Sequence, residues 1–522
     1  MKFKLKPQTI TYSLIALLGG VLMGLTPAPV GAFPLAWVAF IPLWLLAINS
    51  PLKLTIWYGM LWAFAYHGLA IFWITGVHPM TWLGVPWLAS LAIAIFCWLA
   101  IVAWGLVFIT VWAVLFKVLT RKVKPNLLTQ SYRVLVGVAL WCGLEMIWSQ
   151  SPLWWSSLSY TQSPDNLWIL QLLKVSGPTT VTAIIVAVNG FLGEFIQARF
   201  VQRQRLASSR GLIGIALSLL ITLHGIGAVV YSRPLNDENP FKVGIIQGNI
   251  PNTIKLFSDG KKRAMLNYTR GYEKLADLGV DAVLTPETAL PFFISQIPQT
   301  AFYQAILNKG VLAWLGAYGT SPENPDSLDY TNSVFTVAGD GEVLSRYDKV
   351  KLVPLGEYIP FESVLGAVIN RLSPLNAAMI PGTRSQTFDT PYGRAIVGIC
   401  YESAFPYLFL PQAQRGGEFL ITASNNAHYS ETMPAQHHAQ DVLRAVESDR
   451  WAIRATNTGY SGIVDPHGRT LWLSGINTYE IHAETVYPRQ TRTLYVRWGD
   501  WLVWLLLGGM GVSAIAIKYL DL

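Results

Sequence analysis

Up to residue 231 the chain is a succession of apolar runs separated by short polar breaks. Seven runs are long enough to cross a bilayer, at about 10–28, 33–49, 54–76, 84–116, 132–151, 178–198 and 211–231. An eighth closes the chain at about 500–518. A spanning helix needs about 20 apolar residues. The run at 84–116 exceeds that length and predicts a tilted or broken helix.

Between 240 and 490 the pattern changes. Short β-rich runs occur at 242–247, 282–285, 311–316, 333–337, 395–399, 419–423, 451–456 and 462–465, and helical stretches at 261–278, 299–308 and 434–449. Strand–helix alternation over roughly 250 residues predicts one α/β domain. No internal repeat or low-complexity tract interrupts it. The predicted organisation is a helical membrane domain of about seven spans over 1–231, an α/β domain over 232–499 and a C-terminal membrane helix over 500–522.

Charge orients this frame. Lys2, Lys4 and Lys6 precede the first run, and Lys53 lies between the second and third. Lys117, Arg121, Lys122, Lys124 and Arg133 lie between the fourth and fifth, and Arg199, Arg203, Arg205 and Arg210 between the sixth and seventh. The alternate loops are nearly bare: 29–32 and 77–83 hold no Lys or Arg, and 152–177 holds only Lys174. The positive-inside rule makes the basic loops cytoplasmic. It places 232–499 outside the cytoplasm and returns the C-terminus inside with Lys518. Met1 to Ala32 also resembles a signal peptide, ending in Val30-Gly-Ala32. With so many spans following, an uncleaved anchor is expected.

Composition agrees. The 522 residues are 52% hydrophobic and 13% charged, against about one quarter charged in soluble domains. Mean hydropathy is +0.38. The net charge of +8 is accounted for by loop Lys and Arg. No basic run is interleaved with aromatics in the polar stretch, so nucleic acid is not an expected partner.

Cys97 and Cys142 lie in apolar runs, which leaves Cys400 alone in the polar stretch, with no internal disulfide there. It ends the apolar run Arg394-Ala-Ile-Val-Gly-Ile-Cys400, ahead of Tyr401-Glu402. A thiol becomes a nucleophile only beside a base or cation. Two upstream groups qualify: Glu287, ending Asp281-Ala-Val-Leu-Thr-Pro-Glu287, and Lys349 in Tyr347-Asp-Lys349. Glu287, Cys400 and Ser424-Asn-Asn426 follow predicted strands, where open α/β sheets collect ligands. Lys349 is expected in the polar connection Tyr347–Tyr358 instead. Spacing does not bring the three together, and each has a plain reading: buried strand thiol, helix cap, solvated lysine.

Other features carry less. His437 and His438 are adjacent on a predicted helix, point in different directions and lack a third ligand, so no metal is expected. Gly459-Tyr-Ser-Gly462 lacks the frame of a serine-hydrolase elbow. Arg444, Glu447, Arg450 and Arg454 are expected to form ion pairs. Glu145 and Glu194 are unusual inside spans and receive no role.

Taken in order, several motifs resemble the Glu-Lys-Cys triad of the nitrilase superfamily: Thr285-Pro-Glu287, Tyr347-Asp-Lys349 with Leu352-Val-Pro-Leu-Gly-Glu357-Tyr358, and Gly398-Ile-Cys400-Tyr401-Glu402. Ile245-Ile-Gln-Gly-Asn249-Ile-Pro251, Ser424-Asn425 and Thr456-Asn-Thr-Gly459 fit as well. Within the membrane frame, the whole chain resembles the bacterial apolipoprotein N-acyltransferases. The resemblance implies an α-helical membrane domain plus an extracytoplasmic nitrilase-like domain, a four-layer α-β-β-α sandwich. It implies a multi-pass protein of the bacterial inner membrane. It implies acyl transfer from a membrane phospholipid to the α-amine of a diacylglyceryl-cysteine apolipoprotein, through a Cys thioester and without a cofactor. Cys400 would be the nucleophile, Glu287 the general base and Lys349 the oxyanion stabiliser. Glu357 would support the site, and Tyr401 and Glu402 would flank the nucleophile.

The sequence departs from the family pattern at Leu355, Leu256 and His428-Tyr429, where Phe, Trp and Trp-Phe are common. Leu290, Phe292, Phe293 and Tyr358 are expected either to line a lipid entrance or to be ordinary core. Two rival functions remain: a membrane-tethered amidase with the same triad, and a transporter or sensor whose outer domain only binds ligand.

Overall fold

The computed structural model describes residues 7–121, 126–322, 327–359, 378–427 and 429–519. The chain divides into two compact units: Met1–Thr75, Ile93–Arg233 and Arg497–Leu522 form one, and Gly76–Ala92 with Pro234–Val496 form the other. His428, one of the departures named above, lies outside the described residues.

The first unit is helical. Among the described residues six helices are long and apolar enough to cross a membrane: Pro7–Gly24, Trp87–Thr120, Leu127–Trp148, Pro178–Val201, Ser209–Tyr231 and Trp501–Tyr519. The long fourth run is one unbroken helix of 34 residues. Over 33–49 two prolines intervene. Pro34 starts the turn Phe33–Trp37, and Pro42 starts the nine-residue helix Ile41–Asn49. Small residues let the helices approach closely. A Cβ on Gly20 would lie 2.2 Å from the Trp62 carbonyl oxygen, and one on Gly137 would lie 2.4 Å from the Trp44 ring.

Both buried glutamates find partners here. Glu194 accepts from Arg133 at 2.9 Å and from Trp44 Nε1 at 3.1 Å. Glu145 accepts from Trp141 Nε1 at 2.9 Å, from Thr182 at 3.2 Å and from Ser157.

The second unit holds two six-stranded sheets, in the orders β12-β1-β2-β3-β4-β5 and β11-β10-β9-β8-β7-β6. The strands are β1 Phe241–Gln247, β2 Ala282–Leu284, β3 Leu312–Thr320, β4 Tyr330–Val337, β5 Val343–Asp348, β6 Phe388–Thr390, β7 Gly393–Ile399, β8 Phe419–Ser424, β9 Ala452–Thr456, β10 Gly462–Val464, β11 Thr470–Leu473 and β12 Glu480–Val486. The two-residue repeat of a strand sorts side chains into layers. Val243, Ile245, Leu284, Trp314 and Val334 meet Val397, Ile399, Ile421 and Ile453 between the sheets. The alternate positions Ile246, Val283, Leu315 and Phe335 pack under Tyr268 and Tyr272 of helix Ser258–Asp277. Helix Thr432–Ser448 packs against the second sheet. The layers are α-β-β-α.

β1, β2 and β3 run parallel, as do β7, β8 and β9. Their carboxyl ends gather the residues described next. The sequence reading anticipates β1–β4 and β7–β10 and misses β5, β6, β11 and β12. Those four are the edges of the two sheets.

Candidate active site

Several backbone segments converge on one cavity of about 180 Å³. β2 runs into Thr285, whose hydroxyl accepts the Gly316 N–H at 3.0 Å. The chain then turns at Pro286 and presents Glu287, 6% exposed. β5 ends at Asp348, and Lys349 follows with its N–H bonded to the Asn332 carbonyl at 2.8 Å. The expected polar connection is therefore partly strand: Tyr347 and Asp348 pair with β4, and Lys349 is buried at 1% exposure. β7 ends at Ile399, and Cys400 opens a short 3-10 turn with φ +53°. A left-handed backbone at a β-carbon-bearing residue is strained and persists only where its surroundings enforce it. Part of that enforcement comes from His437, whose Nε2 lies 2.6 Å from the Cys400 carbonyl oxygen and must donate to it.

Glu287, Lys349, Glu357 and Cys400 all line the cavity. Lys349 Nζ donates to Glu287 Oε1 at 3.0 Å and to Glu357 Oε1 at 2.7 Å. The other Glu357 oxygen accepts the Val353 N–H at 2.8 Å. Asn332 Nδ2 donates to Glu287 Oε1 at 2.7 Å. The Cys400 thiol points to the Asn425 carbonyl oxygen, 3.9 Å away.

The electrostatics assign the resting protons. Burial disfavours the Glu287 anion, but the Lys349 and Lys255 ammoniums outweigh it and hold this carboxyl below its ordinary range. Burial pulls Lys349 down, and Glu287 and Glu357 more than reverse it, so Lys349 sits well above the ordinary lysine range. Glu357 is raised by burial and by the Glu287 charge. Burial, reinforced by the Glu287 anion, pushes the Cys400 thiol up to about 12. At neutral pH the site therefore holds a thiol, an ammonium and an anionic Glu287. It can do chemistry in which a carboxylate takes a proton from sulfur as sulfur attacks.

Tyr401 and Glu402 do not line the cavity. The Tyr401 ring packs edge-on against Phe405. Glu402, 0% exposed, accepts from the N–H groups of Val350, Lys351 and Ile399 at 2.6, 2.9 and 2.8 Å, and from the Tyr347 hydroxyl at 3.2 Å. It ties the segment after Lys349 to the end of β7. Burial raises it to about 7.

The structure decides between the remaining expectations. Leu290 is fully buried in the core beneath helix Ser258–Asp277, and Phe292 packs against the same core. Phe293 packs against Tyr318 and Tyr330, and Tyr318 rather than Phe293 faces the cavity. The loop around Tyr358 contributes Val353, Gly356 and Glu357 to the lining, not Tyr358. Arg444 pairs with Glu447, and Arg454 with Asp441. Arg450 instead donates to the carbonyls of Gly417, Ser448 and Asp449. His437 and His438 face different partners, Cys400 and Thr470. Among the described residues no group of three His, Cys, Asp or Glu could hold a metal ion.

The sequence gives no role to Lys255 or Asn332 and marks Tyr429 only as a departure from the family pattern, yet all three line the cavity. Lys255 Nζ is buried and donates to the Glu287 carbonyl oxygen and the Thr288 hydroxyl, each at 3.0 Å. Burial pulls this ammonium down to about 8. For Lys255 the available signal was a lysine between two apolar residues, Ile254 and Leu256.

Residues 242–490 match the carbon-nitrogen hydrolase family, and residues 19–191 match the N-terminal domain of apolipoprotein N-acyltransferases. An apolipoprotein N-acyltransferase of Nostoc sp. is 54% identical over 93% of this chain and 95% of its own length. One from Synechocystis sp. is 51% identical over 95% and 98%. A solved member of branch 10 of the nitrilase superfamily from Saccharomyces cerevisiae covers 49% of this chain and 93% of itself, at 22% identity and TM-score 0.36. On the near full-length matches, the chain belongs to the apolipoprotein N-acyltransferase family.

Proposed function

We propose that this protein transfers a fatty acyl chain from a membrane phospholipid to the N-terminal α-amine of diacylglyceryl-cysteine apolipoproteins, by a ping-pong reaction through a Cys400 thioester. The observation that carries the reading is the single cavity in which Lys349 bridges Glu287 and Glu357 beside the Cys400 thiol.

Sulfur attacks the ester carbonyl carbon while Glu287 takes the thiol proton. A pre-formed thiolate is not required, which suits a thiol pushed up to about 12. Negative charge develops on the carbonyl oxygen, and the Lys349 ammonium stabilises it. The C–O bond then breaks, Glu287 returns its proton to the leaving alkoxide, and a lysophospholipid departs. The α-amine, with a free-chain pKa of about 8, attacks the thioester carbon. Its proton passes to Glu287, the C–S bond breaks, and the sulfur is reprotonated. The product is an amide. Glu357 keeps Lys349 placed between the two carboxylates, and Glu402 holds the Lys349 and Cys400 segments together.

The apolar helices support a multi-pass bacterial membrane protein. Basic loops argue for an inner-membrane topology with 232–499 outside the cytoplasm. Anchoring suits substrates whose acyl chains resist entering water by about 0.8 kcal/mol per CH₂. An amidase acting on a small soluble amide needs no such anchor.

The test is intact-mass spectrometry of wild type and Cys400→Ala after incubation with mixed phospholipids. A fatty-acyl increment on wild type only, discharged by a diacylated lipopeptide with amide formation, is the expected result. An increment on Cys400→Ala would remove Cys400 as the nucleophile. Release of free acid with no lipopeptide amide would replace the transferase by a hydrolase.

A further inference from the structure

Three asparagines form a one-way relay that ends in the cavity. Asn457 follows β9, Asn425 follows β8, and Asn252 lies just beyond β1. The Ile250 N–H, which can only donate, reaches Asn457 Oδ1 at 2.9 Å and so fixes that amide's orientation. Asn457 Nδ2 then donates to the Ile250 carbonyl at 2.7 Å and to Asn425 Oδ1 at 3.1 Å. With its oxygen taken, Asn425 donates from Nδ2 to Asn252 Oδ1 at 3.0 Å. The relay leaves Asn252 Nδ2 over. Asn252 is 8% exposed and lines the cavity, and this nitrogen has no partner among the described residues.

A second amide in the same cavity is oriented the opposite way. Asn332 Nδ2 donates to Glu287 Oε1 at 2.7 Å, and a carboxylate oxygen only accepts. Asn332 Oδ1 is therefore the atom left over. It is buried and likewise without a partner among the described residues. Buried polar atoms of this kind need a partner to be tolerated, and a substrate supplies one.

Two side-chain amides that line the cavity thus leave one unmatched donor and one unmatched acceptor between them. Their complement is a group carrying both a carbonyl oxygen and an N–H. Around its reacting ester a phospholipid offers acceptor oxygens only. The N-terminal residue of a peptide offers both, in its α-amine and its first peptide carbonyl. We propose that Asn332 Oδ1 and Asn252 Nδ2 seat the N-terminal residue of the acceptor: the amine donates to Asn332, and the first peptide carbonyl accepts from Asn252. Asn425 and Asn457 are positioning residues that orient Asn252. The placement suits the chemistry. Asn332 holds Glu287, the base that must receive the amine's proton, and the Asn425 carbonyl lies 3.9 Å from the sulfur that carries the acyl group. The inference rests on the thioester reading above and adds which residues hold its second substrate.

The experiment separates the two half-reactions. Wild type, Asn252→Leu (similar size, no N–H) and Asn252→Asp (keeps the bond from Asn425, offers an oxygen in place of the donor) are first acylated with phospholipid. They are then discharged with a diacylated lipopeptide or with hydroxylamine. Both variants are expected to form acyl-enzyme and to show a KM for the lipopeptide raised about tenfold, one hydrogen bond's worth, with Asp worse than Leu. Hydroxylamine, which has no peptide carbonyl, should discharge them within about twofold of wild type. Wild type should show the same tenfold rise with a lipopeptide whose first peptide carbonyl is replaced by methylene, a result that depends on no variant's folding. Equal slowing of both amines, no slowing of either, or a variant that cannot be acylated while wild type can, would overturn the assignment. Absence of acyl-enzyme on wild type would instead remove the thioester reading itself.

Discussion

Both units of this protein bury carboxylates, and the contrast between them separates structure from chemistry. In the helical unit, Glu194 is closed on one guanidinium and one indole, and Glu145 on an indole and two hydroxyls. In the α/β unit, Glu287 and Glu357 share one ammonium, and both line a cavity that also holds Cys400. Burial alone does not make a reactive carboxylate. What marks the α/β pair is that both carboxylates line a cavity with room for a substrate, together with the Cys400 thiol.

Breaking the open cluster should have the largest effect. Glu287→Gln removes the proposed base and should lower the acylation rate about 10²–10⁴-fold, read as the initial rate of acyl-enzyme formation. Its folding should survive, because the amide oxygen still accepts from Asn332 and Lys349.

Breaking the closed pair should act on stability instead. Arg133→Met leaves Glu194 buried without its cation and should cost about 3–5 kcal/mol, read as a lower midpoint of thermal unfolding in detergent. Activity per folded molecule should stay near wild type. Equal losses of activity and stability would erase the distinction between the two clusters.

The smallest expected effect sharpens the comparison within the open cluster. Lys255 helps hold Glu287 below the ordinary carboxylate range. A depressed native pKa gives stability that is present above the unfolded value and lost as pH falls through the native one. The same carboxylate must be ionised to act as base. The acid limb of kcat/KM therefore lies below the ordinary carboxylate range in wild type. In Lys255→Met, with that cation gone, it should move to higher pH. An unmoved limb would assign it to another group.

How much was legible from the residues depended on how each segment is buried. The eight inner strands carry nearly continuous apolar runs because both faces and both edges are covered. The four missed strands are the edges. β12, Glu-Ile-His-Ala-Glu-Thr-Val, carries polar residues of the kind that blunts an open edge, and β11, Thr-Leu-Trp-Leu, and β6, Phe-Asp-Thr, are only four and three residues long. β5 hid Lys349 for the same reason: Val-Leu-Ser-Arg-Tyr-Asp reads as a loop until β4 is seen beside it.

The sequence by itself determined the membrane-type helices, the α/β alternation and the motifs that mark Glu287, Lys349 and Cys400, because these are properties of local composition and order along the chain. Tertiary structure alone decided that Glu287, Lys349, Glu357 and Cys400 share one cavity, that Glu402 braces the site from behind, and that Leu290 is core. It also decided which amide atoms of Asn252 and Asn332 are left unmatched. Those outcomes depend on which strand ends meet across two sheets and on which hydrogen bonds are already taken, and neither is written in the spacing of residues.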